Sequence, residues 1–187
     1  MKYLKIMNKE IILASKSKVR KKILEENGIE CVVEPANIDE DLVKESLIKE
    51  GATPDIISKN LAELKANKIS QKLNGALVLG ADSVIDLNGT IISKPKNRND
   101  ALLILKKLNG KKHYLISSVS ISKNGSMIWN YTDKAALTMK KMNEKELKLY
   151  LKKIKDEALY AYNVYQIEGE GRSLFSKIDG DENTIMG

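Results

Sequence analysis

The chain has 187 residues, of which 42% are hydrophobic and 30% are charged, and its formal net charge is +7. This length and balance predict one folded domain with a sizeable core and exclude a disordered chain. Cys31 is the only cysteine and His113 the only histidine, which excludes an internal disulfide, a cysteine zinc site and a histidine-rich metal centre. Any metal must therefore be held by oxygen ligands, which favours Mg²⁺ or Mn²⁺.

The positive charge suggests a partner that is either nucleic acid or an anionic small molecule such as a nucleotide. The excess is almost entirely lysine, since the chain has only three arginines, Arg20, Arg98 and Arg172. Arginine usually supplies base readout and phosphate forks, and a single phenylalanine leaves little for base stacking. A basic nucleic-acid-binding module is therefore the less favoured alternative. No segment has the length of a membrane span and residues 1–10 lack the apolar core of a secretory signal, so we expect a cytoplasmic protein.

The first predicted element is a strand over residues 10–14, which leads directly into Ser15, Ser17 and a helix that stops at Gly28. Either serine can cap this helix. The junction concentrates backbone N–H groups, hydroxyls, lysines and Arg20 at a helix N-terminus, which suits an anionic phosphate chain. An ordinary strand–cap–helix junction explains the same pattern, and the glycines of a P-loop are absent.

A second strand is predicted over residues 31–35, followed by the acidic residues Asp39, Glu40 and Asp41. These acids indicate either a helix N-terminus, where the dipole favours them, or oxygen ligands for a metal. Thr53 and Pro54 predict the start of a long helix. Lys65 lies at the edge of its apolar face, where a lysine usually extends to water.

The run from Ala76 to Ile85 predicts a strand that is buried on both faces and contains Asp82. A buried carboxylate is costly unless it is paired, hydrogen-bonded or bound to a cation. Asp82 is therefore either a structural acid satisfied by a helix N-terminus or a metal-holding or general-base carboxylate. We expect Gly80 and Ala81 to leave room beside it for a ligand or metal.

The remaining segments alternate between strands and helices. Asn88 and Gly89 predict a hairpin turn, and Asn99 is predicted to cap a helix that stops at Gly110. His113 begins a predicted strand and is interpreted as structural. Further strands are predicted over residues 127–129 and 133–139, and a helix with a capping box over residues 143–154. This order predicts an α/β sheet with helices packed on its faces.

Five motifs follow one another along the chain: Leu13–Arg20, Gly80–Ser83, Ser93–Pro95, Leu108–His113 and Tyr165–Gly169. In order and approximate spacing they make the chain resemble the Maf-like nucleoside triphosphate pyrophosphatases, from about Ile11 to Gly187. The resemblance implies an α/β fold with an elongated, bent mixed β-sheet flanked by helices and two lobes around a central nucleotide cleft. It implies a single domain over residues 1–187, with the family's closing C-terminal helix missing.

The resemblance also implies an activity: hydrolysis of a nucleoside triphosphate to a monophosphate and diphosphate, with a divalent cation, Mg²⁺ or Mn²⁺. Non-standard or modified nucleotides are the implied substrates. Carried over by position, Asp82 would be the general base or metal-holding acid, and Glu40, beside Asp39, would support the metal. Phosphate binding would fall to Ser15, Arg20, Lys65 and Lys94, and base choice to Val19, Ser83 and Glu168. We expect no membrane or nucleic-acid partner, and a homodimer is compatible with this interpretation.

Three departures from the family pattern qualify these expectations. Lys18 stands where a proline is expected and Val19 where an arginine is expected. The segment 160–163, Tyr-Ala-Tyr-Asn, replaces an Asp-Lys-Ala-Gly segment, so a catalytically impaired member is an alternative. Glu168 replaces the glutamine of the branch that takes dTTP and UTP. Because a carboxylate accepts but cannot donate, Glu168 predicts a preference for guanine-type or modified purine triphosphates.

Overall fold

A mixed seven-stranded sheet with accompanying helices forms the frame of the protein, as seen in a computed structural model that describes residues 11–156, 159 and 163–187. The strands are β1 (Ile11–Leu13), β2 (Cys31–Val33), β3 (Val78–Leu87), β4 (Thr90–Ile92), β5 (Lys112–Lys123), β6 (Ser126–Met139) and β7 (Phe175–Asp179). The helices are α1 (Lys18–Glu26), α2 (Glu40–Lys49), α3 (Pro54–Ser70), α4 (Arg98–Leu108), α5 (Glu144–Lys153) and α6 (Glu182–Met186), and a 3₁₀ turn covers Glu170–Leu174.

The strand order in the sheet is β2-β1-β3-β5-β6-β7, and β4 pairs with β3. Strand β1 lies parallel to both β2 and β3, whereas the pairs β3–β4 and β6–β7 are antiparallel. The crossover from β1 to β2 contains α1, and the chain between β2 and β3 contains α2 and α3, as parallel strands require. These features confirm the predicted α/β class with a mixed sheet.

The chain divides into two compact units. Of the described residues, the first unit contains 11–83, 117–132 and Gly187, and the second contains 84–116, 133–156, 159 and 163–186. Each unit has its own apolar core. The core of the first unit is small and includes Ala14, Ala36, Ala66, Ile69 and Val78. The core of the second is larger, and its fully buried members include Leu105, Leu108, Leu137, Leu147 and Leu174.

Most helix starts follow the predicted capping residues. Ser17 caps α1, Thr53 caps α3 with Pro54 in the first turn, and Asn143 forms the predicted capping box. The prediction for α4 was wrong by two residues, because the Asn97 side chain accepts from the backbone N–H of Asp100 and Asn99 lies inside the first turn. The two strands predicted over residues 127–129 and 133–139 are one continuous strand, β6.

Within the first unit, α3 packs unusually close to β3 at Gly80. A Cβ atom on Gly80 would overlap the carbonyl oxygen of Ala62 and would lie 2.7 Å from the Ala66 nitrogen. The space beside Gly80 is thus filled by the α3 backbone, which corrects the expectation that it is open to a ligand. The close approach brings the α3 side chains next to the strand that carries Asp82.

Within the second unit, His113 is fully buried and its Nε2 atom lies 3.0 Å from the Tyr165 hydroxyl. Its ring also contacts Phe175, which packs edge-on against Tyr165. Burial lowers the pKa of His113 from 6.5 to about 4, with the Lys111 backbone opposing the shift. The imidazole is therefore neutral at neutral pH, as its interpretation as a structural residue requires.

This buried imidazole predicts a specific pH dependence of stability. Between pH 6.5 and about 4 the unfolded state binds a proton that the folded state does not, so the free energy of unfolding falls as the pH is lowered through this window. The loss attributable to His113 is about 3 kcal/mol at most. Urea titrations of wild type and His113→Gln from pH 7 to pH 4 measure it, and the variant should show a shallower decline. Parallel curves would contradict the prediction.

No helix within the described ranges combines the length and apolar character that crossing a membrane requires.

Candidate active site

Lys65 links two of the predicted site carboxylates in the first unit. Its Nζ atom lies 2.7 Å from Asp82 Oδ1 and 2.8 Å from Glu40 Oε1. A third contact, of 3.4 Å, runs to the Ala81 carbonyl oxygen. Lys65 is only 6% exposed, so it does not extend to water as a lysine at this position usually would. A buried ammonium with two carboxylates is the paired arrangement that makes burial of charge tolerable.

Asp82 has two oxygens in different situations. Oδ1 accepts from Lys65, whereas Oδ2 is buried and has no hydrogen-bond partner among the described residues. An unmet buried acceptor costs about 1–3 kcal/mol. The predicted alternative, in which a helix N-terminus satisfies Asp82, does not describe this contact, because its partner is the side chain of Lys65. Asp82 therefore keeps one oxygen that can accept a proton or coordinate a cation.

Glu40 is the first residue of α2, and the Asp39 side chain caps that helix by accepting from the Leu42 N–H at 3.0 Å. The interpretation as a helix N-terminus is confirmed, whereas the interpretation as metal ligands stays a prediction; Glu40 also reaches Lys65. Lys44, one turn further along α2, lies 3.8 Å from Glu40 Oε2 and its side chain is only 12% exposed. The cations and carboxylates alternate in the order Lys44, Glu40, Lys65, Asp82.

Arg20 organises a second group of polar atoms in the first unit. One terminal nitrogen, Nη1, donates to the Ala81 carbonyl oxygen at 2.7 Å and to Ser15 Oγ at 3.3 Å. The other, Nη2, donates to Ser83 Oγ at 3.3 Å, and Nε donates to the Gly187 backbone oxygen at 2.6 Å. Ser15 lies in the short connection between β1, which ends at Leu13, and α1, which Ser17 caps. Both ends of this connection are therefore fixed.

Ser15, Arg20 and Ser83 are therefore brought together, as are Glu40, Lys65 and Asp82. The two groups share one atom, because the Ala81 carbonyl oxygen accepts from both Arg20 and Lys65. Val19, the remaining predicted residue of the first unit, is half-buried on α1 next to Arg20. Two cations and an uncommitted carboxylate oxygen beside the middle of β3 can bind an anion and accept a proton.

The other two predicted residues belong to the second unit. Lys94 is exposed and lies between β4 and α4, ahead of the buried Pro95. Glu168 is exposed, and its Oε1 atom accepts from Gln166 Nε2 at 2.8 Å. The departure over residues 160–163 lies outside the described residues except for Asn163.

Asn163 takes a left-handed backbone conformation with φ 69°. Asparagine tolerates this region better than most residues, which suits a position where the resemblance places glycine. Its amide nitrogen lies 3.5 Å from the Ile92 carbonyl oxygen and 3.4 Å from that of Ser93, immediately before Lys94. Asn163 is therefore a support of the Lys94 segment that the sequence patterns did not reveal.

Three further residues of the first unit were missed: Lys44, Ser117 and Gly187. Ser117 Oγ lies 2.8 Å from Ser83 Oγ, and Gly187 contacts Arg20 as described above. Ser117 and Gly187 approach the site from elements distant in the chain, so no spacing rule indicated them, whereas the i, i+4 spacing from Glu40 could have indicated Lys44. In the described part of the chain, no three acidic, histidine or cysteine residues cluster as a complete metal site.

Known proteins resemble this chain over nearly its whole length. The family model of Maf-like proteins matches residues 10–187. A nucleoside triphosphate pyrophosphatase of Pelagibacter ubique (strain HTCC1062) is 75% identical over 181 residues, which cover 97% of this chain and 93% of that protein. A 7-methyl-GTP pyrophosphatase of Brucella abortus biovar 1 is 39% identical over 181 residues, covering 97% of this chain and 91% of that protein.

Among solved structures, the Ham1 protein of Staphylococcus aureus is similar with a TM-score of 0.45 and 18% identity, covering 73% of each chain. The match of the family model to nearly the whole chain, together with the 75% identical relative, settles the family. The chain belongs to the Maf-like protein family.

Proposed function

We propose that this protein is a nucleoside triphosphate pyrophosphatase, which hydrolyses its substrate to a nucleoside monophosphate and diphosphate. The observation that carries the proposal is the buried Asp82, whose Oδ2 atom has no described partner while Lys65 holds its Oδ1 atom. Cleavage of a phosphoanhydride needs little beyond positive charge on phosphate oxygens and an oriented water. The name of the Pelagibacter relative supports this choice of reaction.

In this mechanism a water molecule attacks the α-phosphorus and its proton passes to Asp82 Oδ2. The bond from the α-phosphorus to the oxygen that bridges it to the β-phosphorus breaks, and that oxygen leaves with its electron pair on diphosphate. Arg20 and Ser15 bind phosphate oxygens at the start of α1, where the helix N-terminus also favours negative charge. The longest hydrogen bond of Lys65 runs to the Ala81 carbonyl oxygen at 3.4 Å. The N–H group that makes it can donate to a phosphate oxygen instead. Lys94 has a phosphate-binding role by resemblance.

A divalent cation, Mg²⁺ or Mn²⁺, fits the same residues. Mg²⁺ is commonly held by one or two carboxylates together with substrate phosphates, so a cluster of three acids is not needed. Glu40 would hold the ion, and Asp82 would be its second ligand in the alternative in which Oδ2 binds the cation instead of taking the proton of the water. When bound, it would supply positive charge to the phosphate oxygens.

The test of this function is a panel of purified nucleoside triphosphates with Mg²⁺ or Mn²⁺, in which monophosphate and diphosphate are quantified separately. We expect the two products in equal amounts and no orthophosphate. Orthophosphate with a nucleoside diphosphate would indicate cleavage of the terminal phosphate and overturn the proposal. So would the absence of turnover of any nucleotide.

For the substrate we propose a guanine-type or modified purine triphosphate. The exposed Glu168 carboxylate is oriented by Gln166 and can accept from the adjacent N1–H and amino groups of guanine. It would leave a carbonyl of thymine or uracil without a donor, a mismatch of about 1–3 kcal/mol. The 7-methyl-GTP pyrophosphatase of Brucella abortus, at 39% identity, supports this choice.

Replacing Glu168 by glutamine should shift this preference toward pyrimidines. The amide keeps an acceptor for Gln166 and gains a donor, so kcat/KM for dTTP and UTP relative to GTP and 7-methyl-GTP should rise by about tenfold. Steady-state kinetics on the four nucleotides measure the ratio. Glu170→Gln, a change of the same kind at an exposed position nearby, is the matched control and should leave it unchanged. Equal values for guanine and pyrimidine nucleotides in wild type would contradict the assignment.

A further inference from the structure

We infer that Gly187 is a positioning residue, whose backbone oxygen fixes the orientation of the Arg20 guanidinium. The effect of this contact on catalysis rests on the proposed function, whereas the hydrogen bond itself does not. The Arg20 Nε atom donates to the Gly187 oxygen at 2.6 Å, across a separation of 167 residues. Hydrogen bonds from a charged donor are short and strong, and this is the shortest contact that Arg20 makes among the described ones.

Hydrogen bonds from two different nitrogens are needed to fix the plane of a guanidinium group. The Nη1 atom is anchored by the Ala81 carbonyl oxygen at 2.7 Å, on the strand that carries Asp82. The Gly187 oxygen anchors the opposite end of the fork at Nε. The contacts to Ser15 Oγ and Ser83 Oγ are each 3.3 Å and therefore weaker. The two short contacts to backbone oxygens fix the plane in which Arg20 would meet a phosphate.

Position 187 requires glycine for this contact. Its φ is 102°, a region that residues with a Cβ atom rarely adopt. A Cβ atom there would lie 3.0 Å from Ser83 Oγ and 3.4 Å from Arg20 Nη2. An alanine at this position must rotate its backbone or displace the two side chains, and either movement takes the oxygen away from Arg20.

The direct test is the Gly187→Ala variant studied by NMR in the absence of nucleotide. Only three arginines are present, so the Nε–H signals are few, and Arg20→Lys identifies the one from Arg20. Loss of the hydrogen bond should speed the exchange of the Arg20 Nε–H with water by roughly tenfold. Gly51→Ala is the matched control, because Gly51 has φ 78° and an added Cβ atom would meet no neighbour within 4 Å. Unchanged exchange in Gly187→Ala, or equal changes in both variants, would overturn the inference.

Steady-state kinetics provide a second test of the inference. Gly187→Ala should lower kcat/KM for the best triphosphate by roughly tenfold in wild type and by less than twofold in an Arg20→Lys background, because the effect acts through Arg20. Equal losses in the two backgrounds would show that Gly187 does not act through the arginine. If wild type releases no diphosphate, the proposed function fails, while the NMR arm still decides whether Gly187 orients Arg20.

Discussion

Replacing Asp82 by asparagine should reduce diphosphate release by at least about 100-fold, the lower end of what a positioned general base contributes. Asparagine is nearly isosteric and still accepts from Lys65, but it can neither take a proton from water at the Oδ2 position nor offer a charge to a cation. Nucleotide affinity should persist, because the phosphate-binding cations remain. Single-turnover kinetics, together with equilibrium binding of a nonhydrolysable triphosphate, measure the two effects separately.

The matched control for this substitution is Asp86→Asn. Asp86 is a buried aspartate on the same strand, but its Oδ1 atom accepts from the Gly89 N–H in the hairpin turn. Asparagine can keep that hydrogen bond, so activity should stay near the wild-type value. If Asp82→Asn retains most of its rate, or if Asp86→Asn loses as much, Asp82 is neither the base nor a cation ligand.

Replacing Lys65 by methionine should produce the largest loss of stability among single changes at the site. Methionine has a similar length and no charge, so Asp82 would keep a buried carboxylate with no cation, and Glu40 would lose its shorter ion pair. Breaking a buried pair in this way costs about 3 kcal/mol or more. For a chain of this length the melting temperature should fall by roughly 10 °C, as measured by calorimetry.

Two comparisons make this prediction specific. Lys59→Met removes a lysine from the same helix outside the ion pairs and should cost no more than about 0.5 kcal/mol. In an Asp82→Asn background, Lys65→Met should cost less than half of what it costs in wild type, because one of the two carboxylates is already neutral. An equal cost in both backgrounds would mean that Lys65 stabilises the fold through its alkyl chain alone.

The sequence predicted the elements that depend on short-range rules. Capping residues such as Thr53 and Asn143 identify helix starts because they satisfy backbone donors only a few positions away. The asparagine–glycine turns at residues 88–89 and 124–125 both take the left-handed conformation that favours them. Asn99 failed as a cap because Asn97 is an equally good candidate two residues earlier, and only the backbone geometry decides between them.

The candidate site was predictable where motifs contain its charged and hydroxyl side chains, as at Ser15, Arg20 and Asp82. The pairing of Lys65 with two carboxylates was not, because the long-range approach of α3 to β3 at Gly80 determines it. The sequence suggested that Gly80 leaves space for a ligand, whereas the space holds a helix backbone. Gly187 carries no pattern of its own, and its proximity to Arg20 exists only in the folded chain, whereas the i, i+4 spacing of Glu40 and Lys44 could have indicated their contact.

The interleaving of the two units along the chain has a consequence for biosynthesis. Helix α3 uses Ser58 and Asn67 to bind Ser118 and Ser122 of β5, so its inner face has no strand β5 to meet until about 50 further residues have been added. At roughly 5–20 residues per second on the ribosome, this interval lasts several seconds. The same helix carries Ile57 and Leu61, which are buried in the finished protein. The nascent chain therefore leaves this face of α3 without β5 for that interval, and we expect delayed synthesis between residues 70 and 117 to promote aggregation.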